Sequence, residues 1–231
     1  MNLSLAINSV AVDARMKRPA GRFGLMLSLA LLLGGCSALP DKPMRAALYD
    51  FGPGALTPVP ATRQAPLAPI ALADIGTPGG ALDNQAVLYR LAYDDAQQLR
   101  PYSQARWSMP PAQLIRQRLR DNLGRTRAVL SAGEGPALNR GANQGVLPRV
   151  LQLELDEFSH FFEAPERSVG LVRLRATLVE TTSGGEKLLA QRSVTVQRPA
   201  PSADAPGGVR ALTAATDAAI DEIATWLQQV P

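Results

Sequence analysis

Between Arg149 and Gln197 the chain alternates apolar and polar residues in three successive runs, and no other feature restricts its fold so closely. Leu151, Leu153 and Leu155 alternate with Gln152, Glu154 and Asp156. Val172, Leu174, Ala176 and Leu178 alternate with Arg173, Arg175 and Thr177. Leu188, Ala190, Val194 and Val196 then face one way while Gln191, Ser193, Thr195 and Gln197 face the other. A period of two places one side of each strand in a core and leaves the other wet. The segment "TTSGGEK" (Thr181 to Lys187) supplies turn residues for a hairpin between the last two runs. An antiparallel sheet with one dry face needs a cover. Val209, Leu212, Thr216, Ala219/Ile220, Ile223, Leu227 and Val230 recur every three or four residues, which predicts a helix of about 33 Å over Val209 to Val230.

The earlier part of the chain adds shorter elements. "AALYDF" (Ala46 to Phe51) reads as a first short strand, followed by an irregular loop from Pro53 to Pro66. "APIALADIG" (Ala68 to Gly76) and "QAVLYRLAY" (Gln85 to Tyr93) read as strands of one sheet, the latter with Val87, Tyr89, Leu91 and Tyr93 on one face. Pro110 and Pro111 suit the first turn of a helix, and Ala112, Ile115, Leu119 and Asn122/Leu123 follow at helical spacing. A helix is predicted over Pro111 to Leu123, closed by Gly124 in the left-handed conformation. A short strand over Ala128 to Ser131 follows. Pro and Gly gather near Leu39 to Pro69, Gly133 to Pro148 and Pro199 to Gly208, the expected loops. These readings combine into a single α+β domain: an antiparallel sheet with two main helices packed on it and no internal repeat.

The balance of 46% hydrophobic and 19% charged residues is that of a globular protein. The net charge of +4 is unevenly placed. Arg15, Lys17, Arg18 and Arg22 against Asp13 put +3 before Cys36, which leaves +1 for everything after it. A nearly neutral body with few aromatics has no basic, base-stacking surface, which sets nucleic-acid binding aside.

Cys36 is the only cysteine. Lys17, Arg18 and Arg22 form a positive region, Phe23 to Leu33 an apolar run of 11 residues, and Gly34 and Gly35 precede the cysteine. This is the plan of a secretory signal. The run is too short to cross a hydrocarbon core of about 30 Å as a helix. Leu33-Gly34-Gly35-Cys36 resembles the lipobox of bacterial lipoproteins. That resemblance implies a signal peptide over residues 1–35, with Met16 as an alternative start. It also implies cleavage before Cys36, a thioether-linked diacylglycerol and an N-acyl group such as palmitate on Cys36, and a tether over residues 36–45 leading into a domain over 46–231. Two or more acyl chains hold a protein stably on a membrane where one does not. The other readings are an exported, non-lipidated protein with an incidental cysteine, or a free or intermolecularly paired thiol. Asp after the cysteine would resemble the inner-membrane retention signal of enterobacterial lipoproteins; Ser37 stands there instead, and the resemblance therefore implies release to the outer membrane.

Catalytic groups are sparse. With one histidine, His160, and one cysteine, neither a zinc site of the Cys/His type nor a Cys–His nucleophile pair can be assembled. The surroundings of His160, "FSHFFEAPE", carry no nucleophile-elbow pattern, and a strand-end or loop histidine is the plainer reading. There is no GxxxxGK[ST] and no GxGxxG, so ATP would be bound by another chain. Asp94/Asp95 and Asp217/Asp221/Glu222 read as solvated turn and helix faces. Phe158, Phe161 and Phe162 either pack beneath the sheet or form an apolar tip for a partner or lipid. Arg116, Arg118, Arg120, Arg125 and Arg127 either cover a solvated helix face or meet anionic headgroups or an acidic partner. No catalytic residue, metal ligand or cofactor site is expected.

The order of motifs after the cysteine resembles the ABC-type transport auxiliary lipoproteins, which include the Pqi-type outer-membrane lipoprotein that works with MCE-domain proteins. "LYDFG", "IALADI" and the stretch from Leu82 to Leu123 carry the resemblance, with Leu82, Asp83, Tyr89, Arg90, Tyr102, Trp107 and the Pro110/Pro111 helix start inside it. The later "LQLELDEF", the "ETTSGGEKLLAQRSV" hairpin and the Ala-rich last helix fit the same order. The resemblance implies a non-enzymatic lipoprotein on the outer membrane, facing the periplasm, within an intermembrane lipid transport system. Its partners would be an MCE-domain protein and, through it, a separate ABC permease and ATPase, with room for a homo-oligomer. A free-standing periplasmic lipid carrier is the alternative.

Overall fold

A computed structural model describes residues 45–54, 67–132, 147–182 and 184–230. Cys36, the expected signal segment and the expected tether up to residue 44 lie outside the described residues. So does most of the loop expected from Pro53 to Pro66. The elements in chain order are β1 (Ala47–Tyr49), β2 (Leu67–Gly76), β3 (Ala86–Leu91), β4 (Asp95–Trp107), α1 (Pro111–Leu123), β5 (Arg127–Ser131), β6 (Arg149–Ala164), β7 (Arg167–Thr182), β8 (Gly185–Pro199) and α2 (Ala205–Gln229). They form one compact α+β unit.

The sheet is mixed, which corrects the expectation of an antiparallel one. β6–β7 and β7–β8 are antiparallel, as expected for the three alternating runs, and so is β3–β4. The pairs β1–β4, β2–β5, β2–β6 and β3–β6 are parallel. β6 is the spine. One of its edges carries β7 along almost its whole length, whereas the other is shared by two strands. β2 takes Arg149 to Glu154, and β3 takes His160 to Phe162. Alternation within a strand specifies which face is dry, not which neighbour lies beside it, so the parallel pairs were hidden from a local reading.

β6 continues seven residues beyond the expected Glu157 because a bulge resets its phase. The register with β7 slips between Leu155 and Glu157. The extra residue moves the dry side from odd to even positions, so that Leu151, Leu153 and Leu155 are followed by Phe158, His160 and Phe162 in the core. Phe158 and Phe162 therefore pack inward, and the tip reading of these phenylalanines is set aside.

Each helix has a local cause. α1 begins at Pro111 with its fixed φ and buries Ala112, Leu114, Ile115, Leu119 and Leu123. Gly124 is right-handed (φ −60°) rather than left-handed. Its hydrogen atom leaves room for the Arg120 carbonyl, which a Cβ would meet at 2.9 Å. α2 starts four residues before the expected Val209. Asp204 caps it, its Oδ1 accepting from the Gly207 N–H at 2.7 Å and from Ser202 Oγ at 2.6 Å. These bonds hold the Asp204 carboxyl below its ordinary pKa, Ser202 contributing most. The glycine pair that reads as loop is helical because the helix comes down on β6 and β7 there. A Cβ on Gly208 would overlap the His160 ring, and one on Gly170 would overlap the backbone of Ala211 and Leu212.

β4 escapes periodicity altogether. It opens with the polar run "DAQQLR" and contains Pro101, which stands opposite Leu88 beside a register shift. Tyr93, expected in a strand, lies in the turn between β3 and β4 and is 49% exposed.

Candidate functional site

Three arrangements carry polar chemistry or open space. The first is internal. His160 is fully buried, its Nδ1 lies 2.8 Å from Tyr102 Oη, and its Nε2 lies 2.7 Å from Ser168 Oγ. Burial lowers its pKa from 6.5 to about 4, so at neutral pH the ring is uncharged and one nitrogen accepts. Burial also raises the Tyr102 phenol. Ser168 and His160 have the spacing of a nucleophile and its base, but Ser168 is buried as well and Gly208 sits against the imidazole ring. Here the histidine and its two hydroxyl partners pin strands β4, β6 and β7 together under the start of α2.

A second arrangement joins the two helices. Arg118 Nε and a terminal nitrogen bond the two Asp217 oxygens at 2.7 and 3.1 Å, and the Phe51 carbonyl accepts from Arg118 at 3.3 Å. Asp217 is the main cause of a raised Arg118 pKa. Asn122 donates to Asp221 at 2.9 Å. Phe51 itself is wedged edge-on against Trp107, with ring centroids 5.6 Å apart, and tilted against Phe158. The "LYDFG" motif thus has a structural role: Asp50 turns the chain by accepting from the Gly52 N–H, Phe51 enters the core, and Gly52 takes φ +67°.

The arginine stripe is largely spent inside the molecule. Arg116 pairs with Asp74 at 3.2 Å, Arg118 with Asp217, and Arg120 reaches the Val129 carbonyl. The carboxylates expected to be solvated are also engaged: Asp94 with Arg100, Asp217 with Arg118, and Glu222 with Arg192. Among the described residues no cluster of three or more His, Cys, Asp or Glu side chains could hold a metal ion.

The third arrangement is a cleft of about 510 Å³ where β2, β6 and β7 begin or end beside the last turns of α2. Ile70, Leu178 and Leu227, all nearly inaccessible, form its floor, and Ala68, Leu147 and Pro148 its walls. Arg127, Arg149 and Glu180 are its charged lining. Of these, sequence reasoning singled out only Arg127, as part of the stripe. Arg149 and Glu180 carry no spacing signal, because the parallel pairing of β2 with β6 brings Arg149 to Ile70, and β7, antiparallel on β6, brings Glu180 alongside.

A family model described as "ABC-type transport auxiliary lipoprotein component" matches residues 49–224, more than three quarters of the chain. The chain belongs to this family of auxiliary lipoproteins. The ABC-type auxiliary fold also finds counterparts among solved structures. Protein XCC0632 from Xanthomonas campestris, of the DUF330 family, is similar at 20% identity, with a TM-score of 0.61 over 80% of this chain and 96% of that one. A second, described only as an uncharacterized protein, is similar at 13% identity, with a TM-score of 0.55 over 79% of this chain and 99% of that one. At such identities the likeness is one of fold. None of the curated proteins matches the chain. No described helix of this auxiliary lipoprotein is long and apolar enough to cross a membrane.

Proposed function

We propose that this auxiliary lipoprotein is a non-enzymatic component of an ABC/MCE-type intermembrane lipid transport system. In this reading Cys36 carries diacylglycerol and an N-acyl chain, holds the domain on the outer membrane facing the periplasm, and lets it dock an MCE-domain protein with its permease and ATPase. The observation that carries the reading is the family match over residues 49–224 behind a Leu33-Gly34-Gly35-Cys36 lipobox. The test is affinity purification of the C-terminally tagged full chain from gently solubilised membranes, with co-purifying chains identified by mass spectrometry. Recovery of an MCE-domain protein with a permease or ATPase is the expected result. Reproducible recovery of no such chain with intact lipidated bait would overturn it. The second reading, a free-standing periplasmic lipid carrier, has the apolar cleft in its favour.

A further inference from the structure

We infer that the cleft between β2, β6, β7 and the end of α2 binds a single-chain lipid anion, its acyl chain on the apolar floor and its head on Arg127 and Arg149. The inference draws on the lipid-handling reading for its ligand class and deepens the carrier alternative. Three observations carry it. The volume of about 510 Å³ lies within the range of roughly 300–1,000 Å³ typical of small-molecule sites, and the floor and walls are aliphatic.

The arginines supply the second observation. The other partly buried arginines of the described residues are answered, Arg90, Arg100, Arg116, Arg118 and Arg175 by carboxylates and Arg106 by the Tyr102 and Ala105 carbonyls. Arg127 and Arg149 have no ion-pair or hydrogen-bond partner among the described residues, and Arg127 Nε is shut off from water with no acceptor. Burial accordingly lowers the Arg127 pKa. An unmet guanidinium N–H at the mouth of an apolar cleft is a cost that a carboxylate or phosphate oxygen removes, and the planar fork suits either. Glu180, the one acid on the lining, leaves the rim at +1.

Third, the floor offers no backbone to a peptide. At the floor itself Ile70 of β2 is paired with Val129 of β5 on one side and Arg149 of β6 on the other, and Leu178 of β7 with Leu151 of β6 and Ala190 of β8. An extended chain laid on these floor residues would find no free ladder groups, whereas an acyl chain needs none.

Residues 45–231 form one compact unit with its own core, so the chain from residue 36 with Cys36→Ser, which has no attached acyl group to compete, can be titrated by calorimetry. The probes are laurate and, as the same chain on a neutral head, monolaurin. We expect saturable one-to-one laurate binding and at least tenfold weaker monolaurin binding. The double variant Arg127→Gln/Arg149→Gln should lose at least tenfold for laurate and little for monolaurin. Ala68→Trp, at an exposed wall position, should weaken both probes by filling the cleft. Absence of saturable binding, equal affinity for the two heads, or an unaffected double variant would overturn the inference. A failed capture of transport partners would leave laurate binding intact, and the reverse holds too, so the two readings fail separately.

Discussion

His160 and Gly208 each account for the other's identity. The ring fills the space a Cβ would need, and the bare glycine lets α2 approach β6 closely enough to cover the ring. Gly208→Ala should therefore destabilise the fold by about 1–3 kcal/mol or more, read as a lower urea midpoint at unchanged slope. The same histidine makes stability depend on pH. Its folded pKa of about 4 lies below the unfolded 6.5 because burial disfavours the charged ring, so the unfolded chain binds the extra proton. Stability from this group is complete above about pH 6.5 and declines as pH falls from there towards 4. His160→Gln should flatten that part of the curve in urea titrations across the window; an unchanged slope would remove His160 as its source. Ser159, beside it, is buried with no partner for its hydroxyl among the described residues, at the stretch where β6 has passed beyond β2 and not yet met β3.

At the scale of elements, α1 and α2 are clasped by one two-pronged contact. Arg118→Met should cost about 1 kcal/mol, since the Arg118 and Asp217 side chains are 19% and 44% exposed and water screens much of their attraction. Arg118→Lys should not restore it, because an ammonium cannot grip two carboxylate oxygens and the Phe51 carbonyl in one plane. Thermal melts of the two variants would decide the matter. Elements with a clean period were legible in the sequence: α1 at its full bounds, the β7–β8 hairpin, and the first half of β6. The second half of β6 was not, because a single bulged residue inverts which parity is dry. β4 was not, because it is polar at its start and broken by Pro101. The cleft was the least legible feature, since Ala68, Arg149 and Leu227 meet only through parallel pairing and the reach of a 25-residue helix.

For the whole molecule, the resemblance of Leu33-Gly34-Gly35-Cys36 to a lipobox makes a prediction separable from the fold. Cys36→Ala should move the protein out of the membrane fraction on cell fractionation while leaving its thermal midpoint unchanged, because the core begins only at Phe51. Retention in that fraction would argue against a lipid anchor at Cys36. The order of elements also has a mechanical meaning. The first strand, β1, is three residues long, lies at the margin of the sheet and runs parallel to β4. Tension applied to the chain ahead of Arg45 would reach this strand first and peel it away at little cost. The pull would then be caught at Phe51, lodged between Trp107 and Phe158 with its carbonyl held by Arg118. The domain thus carries a short sacrificial length ahead of a firm stop, a fuse between whatever holds its N-terminal end and the core.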